Sequence, residues 1–215
     1  MHRKDERMAR SGISGELSPE QINALGEAGN IGAGNASIAL SQMVGTKVGL
    51  SAPRANLLPL ASVPGLAGGP EVPVAGVYMR IKGDCPGSIL LLLERESALS
   101  LADVMIASSL SGHEDMAVRQ SALEETGSIL SGAYLNALGE LTGLFFKPSV
   151  PGFAMDMAGA ILENVLVDAA ELEDYVLVVE TDFKISGQLI HGHLVLFPDL
   201  GALGAILERL GVPFE

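Results

Sequence analysis

Apolar residues recur at helical spacing through the segment that follows position 18. The positions with this spacing are Ile22, Leu25, Gly29, Ala36, Leu40 and Met43. Ser18 suits the N-cap, Pro19 the first helical position, and Gln21 stands three residues after the cap. The sequence therefore predicts a long helix that begins after Ser18.

Four glycines interrupt this predicted helix, at positions 26, 29, 32 and 34. Each glycine costs about 1 kcal/mol relative to alanine in a helix interior. So many together indicate that another chain or element approaches the helix backbone closely.

The remaining elements follow from alternating or continuous apolar runs bounded by Gly and Pro. A strand near 46–52 precedes a proline-containing stretch, 53–70, which we interpret as loop. The further predicted strands are 73–82, 87–94, 144–149, 156–166, 175–186 and 189–197, and the further predicted helices are 96–110, 114–142 and 199–210.

The chain contains an internal duplication. When residues 24–53 are compared with 122–151, a shift of 98, eleven of 30 positions are identical. We expect residues 1–17 to form a flexible tail and 18–215 a single domain of two repeats, about 18–113 and 114–215. The predicted fold is α/β, with a pseudo-two-fold repeat, a mainly antiparallel sheet and two long exposed helices packed on one face.

Composition and charge exclude several classes of function. Hydrophobic residues make up 48% and charged residues 18%, which excludes a disordered chain. The formal net charge is −13, so phosphate backbones and anionic membranes would be repelled. With no apolar run near 18 residues and no signal-peptide pattern, we expect a cytoplasmic protein that neither inserts into membranes nor binds nucleic acid.

Polar residues form one stripe along each long helix. Asn23, Glu27 and Asn30 are spaced i, i+4 and i+7, and Gly34 continues the same face. In the second long helix the corresponding positions are Ser121, Glu125, Ser128 and Gly132, and prolines follow the two stripes at Pro53 and Pro151. A polar stripe is often only a solvated face, but that account does not explain its recurrence on a glycine-rich helix.

The spacing Asn23-x3-Glu27-x2-Asn30-x22-Pro53 resembles the phosphatase signature of the CheC/CheX/FliY family. The segments 29–36 and 131–138 also resemble the two motif helices of CheC proteins, and the resemblance covers about 18–210. It implies hydrolysis of the aspartyl-phosphate of the chemotaxis response regulator CheY. The regulator would bring its own Mg²⁺ and lysine, and this chain would bind no cofactor.

The resemblance also implies roles for individual residues. Asn30 would orient the attacking water, since a carboxamide both donates and accepts hydrogen bonds while remaining uncharged beside phosphate. Glu27 would pair with a cation of the partner, and Pro53 would shape the adjoining chain. The backbones of the two proteins would come close at Gly26, Gly29 and Gly34. Ser128 departs from the family's asparagine and is too short to reach the same water, so Glu125 and Ser128 are expected to form a degenerate site that could still dock the partner.

Two other functions remain open. A non-catalytic module of the same fold would sequester phosphorylated CheY or bind CheD, the receptor deamidase with which CheC proteins associate. A flagellar switch component similar to FliY is a third hypothesis, for which we would expect an appended C-terminal switch domain.

Other candidate sites are weaker. The glycine series from Gly26 to Gly34 does not follow a strand and lacks the Lys-Ser/Thr of a phosphate-binding loop, so it does not predict nucleotide binding. His191 and His193 share a strand face without a third ligand nearby, which favours surface histidines over a metal site. Cys85 has no partner for an internal disulfide and is interpreted as a small buried hydrophobe.

Overall fold

The computed structural model describes residues 17–51, 54–106, 115–167 and 174–213. Within these ranges the helices are α1 (Pro19–Val44), a 3₁₀ helix (Leu60–Ala67), α2 (Arg95–Ile106), α3 (Met116–Thr142), α4 (Ala158–Val167) and α5 (Ala202–Arg209). The strands are β1 (Val48–Leu50), β2 (Arg54–Pro59), β3 (Pro73–Gly83), β4 (Gly87–Glu94), β5 (Phe146–Pro148), β6 (Gly152–Met157), β7 (Tyr175–Ile185) and β8 (Gln188–Pro198).

The eight strands of the described residues form one antiparallel sheet. The strand order is β1-β7-β8-β4-β3-β5. Strand β2 also pairs with β7, on the same edge as β1, and β6 also pairs with β3, on the same edge as β5. Alternate strand residues point to opposite faces. One face packs against the long helices α1 and α3, and the other against α4 and the 3₁₀ helix. The predicted combination of helices with a mainly antiparallel sheet is confirmed.

Each half of the chain gives its two short strands to the hairpin of the other half. A shift of 98 residues moves β1 and β2 onto β5 and β6, and β1 and β2 pair with β7 just as β5 and β6 pair with β3. This exchange is the arrangement that a duplicated unit would give. The duplication itself, and the division into two repeats, stay predictions from the sequence.

Two of the identical positions have a shared structural role. Ser51 donates its backbone N–H to Asp182, and its hydroxyl accepts the Asp182 N–H at 3.2 Å. Ser149 bonds in the same way with Arg80, at 2.8 and 3.1 Å. Each serine therefore continues the sheet bonding across the gap between two short strands, because its side chain replaces a missing backbone partner.

Both ends of α1 are fixed by hydrogen bonds. At the start, the Ser18 hydroxyl accepts the Gln21 N–H at 3.2 Å, and Gln21 Oε1 accepts the Ser18 N–H at 2.8 Å, which confirms the predicted capping box. The buried Gln21 amide also donates to the backbone oxygen of Val212 at 3.0 Å. Near the other end, Ser41 Oγ accepts the Val48 N–H at 2.9 Å, which ties the helix to β1.

The two long helices lie in direct contact at Gly32. A Cβ built on Gly32 would lie 2.8 Å from the Cα of Tyr134 on α3, closer than real Cβ atoms come to a backbone. Gly127 on α3 similarly allows the side chain of Val77 on β3 to approach. The glycines at these two positions therefore set the separation of α1, α3 and the sheet.

Two predicted segments are wrong. Residues 53–70, expected as loop, contain β2 and the 3₁₀ helix. Pro59 and Pro64 do not prevent these elements, because an edge strand and a 3₁₀ helix have positions whose N–H needs no partner in the sheet. The strand expected over 156–166 is instead the end of β6 followed by α4. The apolar run from Ile161 to Val167 is short, and in so short a run the apolar pattern does not distinguish a buried helix from a buried strand.

The other predicted helices and strands are present, with ends that differ by a few residues. Helix α2 ends at Ile106 in the described part, and the predicted residues 107–110 lie outside it, as do residues 1–16 of the predicted tail. Strand β4 is buried on both faces over residues 87–93, which suits its unbroken apolar run from Ile89 to Leu93.

The contact at Gly32 gives a test of the packing. Gly32→Ala should destabilise the protein by about 1–3 kcal/mol, because the methyl group would force α1 away from Tyr134. Gly26→Ala is the matched control: nothing lies within 4 Å of its built Cβ, so helix propensity should stabilise it by about 0.5–1 kcal/mol. Urea unfolding measures both changes, and equal effects at the two glycines would contradict this packing.

Candidate functional site

The predicted stripe lies on the outward face of α1. Asn23, Glu27, Asn30 and Gly34 are all exposed. The opposite face of the helix is buried against α3 and the sheet through small and apolar residues, including Leu25, Ala28, Ala36 and Leu40. The side chain of Asn30 is therefore reachable from outside the protein, which the hypothesis of a water-orienting amide requires.

An open groove of about 450 Å³ runs between this stripe and the start of β2. Asn23, Glu27 and Asn30 line one side of the groove, together with Ile22 and Gly26. Arg54, Ala55 and Asn56 line the other side. Sequence reasoning missed Arg54 and Asn56, because the segment that carries them was expected to be loop.

The stripe is not used in internal polar contacts. Within the described ranges, the side chains of Glu27 and Asn30 make no hydrogen bond or ion pair. Their donors and acceptors are satisfied by solvent and remain free to bind a partner.

The glycines of α1 divide into two groups. Nothing lies within 4 Å of a Cβ built on Gly26 or Gly34, so at these positions the outward surface is flat enough for another backbone to approach. Gly29 is buried on the inner face. The expectation that Gly29 admits a partner is therefore wrong, because this glycine faces the protein's own interior.

The second stripe, on α3, is less exposed to solvent than the stripe on α1. Ser121 and Glu125 are exposed, whereas Ser128 and Gly132 are half-buried. The Ser121 hydroxyl donates to the backbone oxygen of Ala117 at 3.0 Å, one turn earlier on α3. The hydroxyl of Ser128 projects less far from the helix than the amide of Asn30, since it has one side-chain carbon fewer before its polar atom.

Of the two motif prolines, only Pro151 lies within the described residues. Pro53 lies outside the described residues. Pro151 is half-buried in the gap between β5 and β6, directly before Gly152. At this gap a proline is tolerated because no ladder N–H is required of it. The expectation that such a proline shapes the chain rather than taking part in chemistry stays a prediction.

The other candidates do not form sites. His191 bonds to Asp182 with its Nδ1 2.6 Å from a carboxylate oxygen, and His193 is half-buried, where desolvation lowers its pKa against the opposing influence of Glu180. Among the described residues, no group of three or more His, Cys, Asp or Glu side chains could hold a metal ion. Cys85 is 3% exposed, and burial raises the pKa of its thiol, as expected of a core residue.

No helix in the described residues is long and apolar enough to cross a membrane.

Comparison with known proteins agrees with the motif. The family model of the CheC-like family matches residues 20–57, which include the α1 stripe and the first four residues of β2. The chain is 32% identical over 200 residues to the CheY-P phosphatase CheC of Bacillus subtilis, an alignment that covers 91% of this chain and 96% of that protein.

Solved structures share the fold. The crystal structure of Thermotoga maritima FliY is similar with a TM-score of 0.70 and 21% identity, covering 91% of this chain and 98% of that one. The FliM middle domain of Vibrio alginolyticus is similar with a TM-score of 0.62 and 14% identity, covering 87% and 99%. The extent and identity of the match to the Bacillus protein, together with the motif on α1, show that this chain belongs to the CheC-like family.

Proposed function

We propose that this protein is a phosphatase that hydrolyses the aspartyl-phosphate of a CheY-type response regulator in chemotaxis. Membership of the CheC-like family supports this, because its relative in Bacillus subtilis is named a CheY-P phosphatase. The observation that carries the residue assignment is the exposure of Asn30, one helical turn from Glu27 on the same face.

The reaction needs little covalent chemistry from the phosphatase. A water oxygen bonds to phosphorus while the bond from phosphorus to the aspartate oxygen breaks, which gives inorganic phosphate and a free carboxylate. The acyl phosphate is already activated, so positioning the water in line with the leaving oxygen is the main requirement. The Mg²⁺ that stabilises the phosphoryl charge belongs to the regulator.

Asn30 suits the positioning role. Its amide oxygen accepts a hydrogen bond from the water, and its amide nitrogen donates a hydrogen bond to a phosphoryl oxygen or to the water itself. A carboxylate at this position would be repelled by the phosphoryl group. Because α1 is fixed at both ends, Asn30 is presented on a rigid helix, and little helix entropy is lost when the complex forms.

Glu27 suits an anchoring role. It lies three residues before Asn30 on the same outward face and lines the same groove. A carboxylate there can form a charge-assisted hydrogen bond with a cation of the regulator, for which we propose its active-site lysine. The flat surface at Gly26 and Gly34 allows the regulator's backbone to approach the helix.

The second stripe supports a degenerate site. Glu125 remains available for anchoring, but Ser128 lacks the reach and the donor–acceptor pair of an amide. We infer that turnover takes place at Glu27 and Asn30. A non-catalytic module that sequesters phosphorylated CheY or binds CheD is the rival function, and it predicts binding without turnover.

Asn30→Ala should reduce kcat by about 10²–10³-fold, the usual loss when one preorganised hydrogen-bonding group is removed. Phosphate release from phosphorylated CheY, with catalytic amounts of protein, measures the effect. Asn35→Ala is the matched control, since Asn35 is exposed on the same helix but lies off the stripe. Near-wild-type turnover in Asn30→Ala would contradict the assignment, and binding without turnover in the wild type would favour the rival function.

Glu27→Ala should act on binding more than on chemistry. We expect KM to rise by about 10-fold or more while kcat changes little, because a charge-assisted bond is lost from both the ground state and the transition state. Steady-state phosphate release separates the two parameters. Glu140→Ala, at an exposed glutamate on α3 outside the stripe, should leave both unchanged. A fall in kcat alone would show that Glu27 is not an anchor.

Ser128→Asn should create a second competent site. In the Asn30→Ala background we expect this change to restore turnover by about 10-fold or more above Asn30→Ala alone, because it returns the amide to the second stripe. The same phosphate-release measurement applies. If Ser128→Asn restores nothing while the regulator still binds, the serine is not the reason for the inactivity of the second stripe.

A further inference from the structure

Ile38 is an exposed apolar residue on the same helix as Asn30. Its side chain is 61% exposed, whereas Ile22 and Met43, the other exposed large hydrophobic residues of α1, are 39% and 38% exposed. A single exposed apolar side chain is ordinary on a protein surface, so this exposure alone does not indicate a function. The position of Ile38 relative to the polar stripe is what distinguishes it.

Ile38 continues the outward face of α1 beyond the stripe. One row along the helix, with the spacing i, i+4, i+7 and i+11, consists of Glu27, Ile31, Gly34 and Ile38. Nothing lies within 4 Å of a Cβ built on Gly34, so the surface between Asn30 and Ile38 is open. A partner that lies over Asn30 can therefore extend along the helix as far as Ile38.

The usual size of a protein–protein interface brings Ile38 inside the contact area. Each residue of an α-helix rises about 1.5 Å, so Ile38 lies about 12 Å along the axis from Asn30. A specific interface buries about 800 Å² on each partner, which corresponds to a patch about 30 Å across. An interface of this size that is centred on Asn30 therefore includes Ile38.

The second half has a polar residue at this position. The shift of 98 residues places Asn136 where Ile38 stands, and Asn136 is exposed as Ile38 is. The other members of the row have the same residue types in the second half, as Glu125, Ile129 and Gly132. The half with the complete motif therefore also carries the exposed apolar residue, and the half with the incomplete motif does not.

We propose that Ile38 contacts an apolar patch on the regulator, about 12 Å from the reacting group, and that Asn136 denies this contact to the second stripe. This inference rests on the proposed function and deepens it, because it names a surface property of the partner. Contact with Ile38 removes apolar surface from water and stabilises the complex without taking part in the reaction. Recognition at Ile38 is thus separate from the chemistry at Asn30.

Ile38→Asn should raise KM for phosphorylated CheY by about 10-fold with kcat changed by less than about threefold, since the contact is present before and during the reaction. Ile38→Leu keeps an apolar side chain and should leave KM within about threefold of the wild-type value. Met43→Asn is the matched control, because Met43 is an exposed apolar residue of the same helix about 140° around the axis from Ile38. Equal KM values for Ile38→Asn and Met43→Asn would overturn the proposal.

Two further measurements separate an apolar contact from a charge effect and from a folding defect. The ratio of the KM values of Ile38→Asn and the wild type should be the same at low and high salt, because salt screens charges and not apolar contacts. The urea midpoint should stay close to that of the wild type, since Ile38 is exposed. A ratio that approaches one at high salt, or a KM change that accompanies a clear fall in the midpoint, would contradict the apolar contact.

The second half offers a test by gain of function. CheY loaded with beryllium fluoride and Mg²⁺ mimics the phosphorylated form and allows affinity to be measured without turnover. In the Ile38→Asn background, Asn136→Ile should raise the affinity for this form by about 10-fold, whereas Asn136→Gln should not. Equal affinities for these two variants would overturn the role assigned to Asn136.

These experiments distinguish the inference from the function on which it rests. If Asn30→Ala abolishes turnover while Ile38→Asn behaves as Met43→Asn does, the inference fails and the proposed function stands. If the wild type binds beryllium fluoride-loaded CheY but does not turn over the phosphorylated form, the proposed function fails, and the affinities of Ile38→Asn and Met43→Asn still decide whether Ile38 contacts the regulator. If the wild type neither binds nor turns over CheY, both fail.

Discussion

The site depends on the close packing of α1 against the rest of the fold. Gly32 brings the helix to the backbone of α3, Gln21 ties its start to the C-terminal segment, and Ser41 ties its end to β1. With its inner face fixed in this way, the helix has only one face to offer a partner. That face carries Asn30, and a rigid helix holds the amide in place better than a loop would.

The exchange of short strands between the halves links this helix to the groove beside it. Strand β2 belongs to the first half but pairs with β7 of the second, and its first residues border the groove beside α1. The outcome is a wall that carries Arg54 opposite the Asn30 stripe. At the corresponding sequence positions of the second half, Ser128 and Gly152 replace the asparagine and the arginine.

The sequence was most informative where a local pattern had one physical interpretation. The capping box and the polar stripe each followed from spacing and residue type. The segment around Arg54 was not predictable, because its prolines indicate a loop unless the edge of the sheet is known. Gly26, Gly29 and Gly32 look alike in the sequence, yet one faces solvent and two face the interior, which depends on how the helix is rotated against α3. The run 161–167 was ambiguous for a similar reason, since only its packing against the second face of the sheet makes it helical.

The central claim is that an uncharged amide at position 30 orients the attacking water, and the isosteric change Asn30→Asp tests it most directly. With this variant in excess over phosphorylated CheY, single-turnover decay of the phosphoryl group should fall close to the rate of CheY alone, because the carboxylate keeps the shape of the side chain but repels the phosphoryl oxygens and cannot donate a hydrogen bond. Binding of beryllium fluoride-loaded CheY, measured in parallel, should show that the complex still forms. Decay as fast as with the wild-type protein would contradict the account.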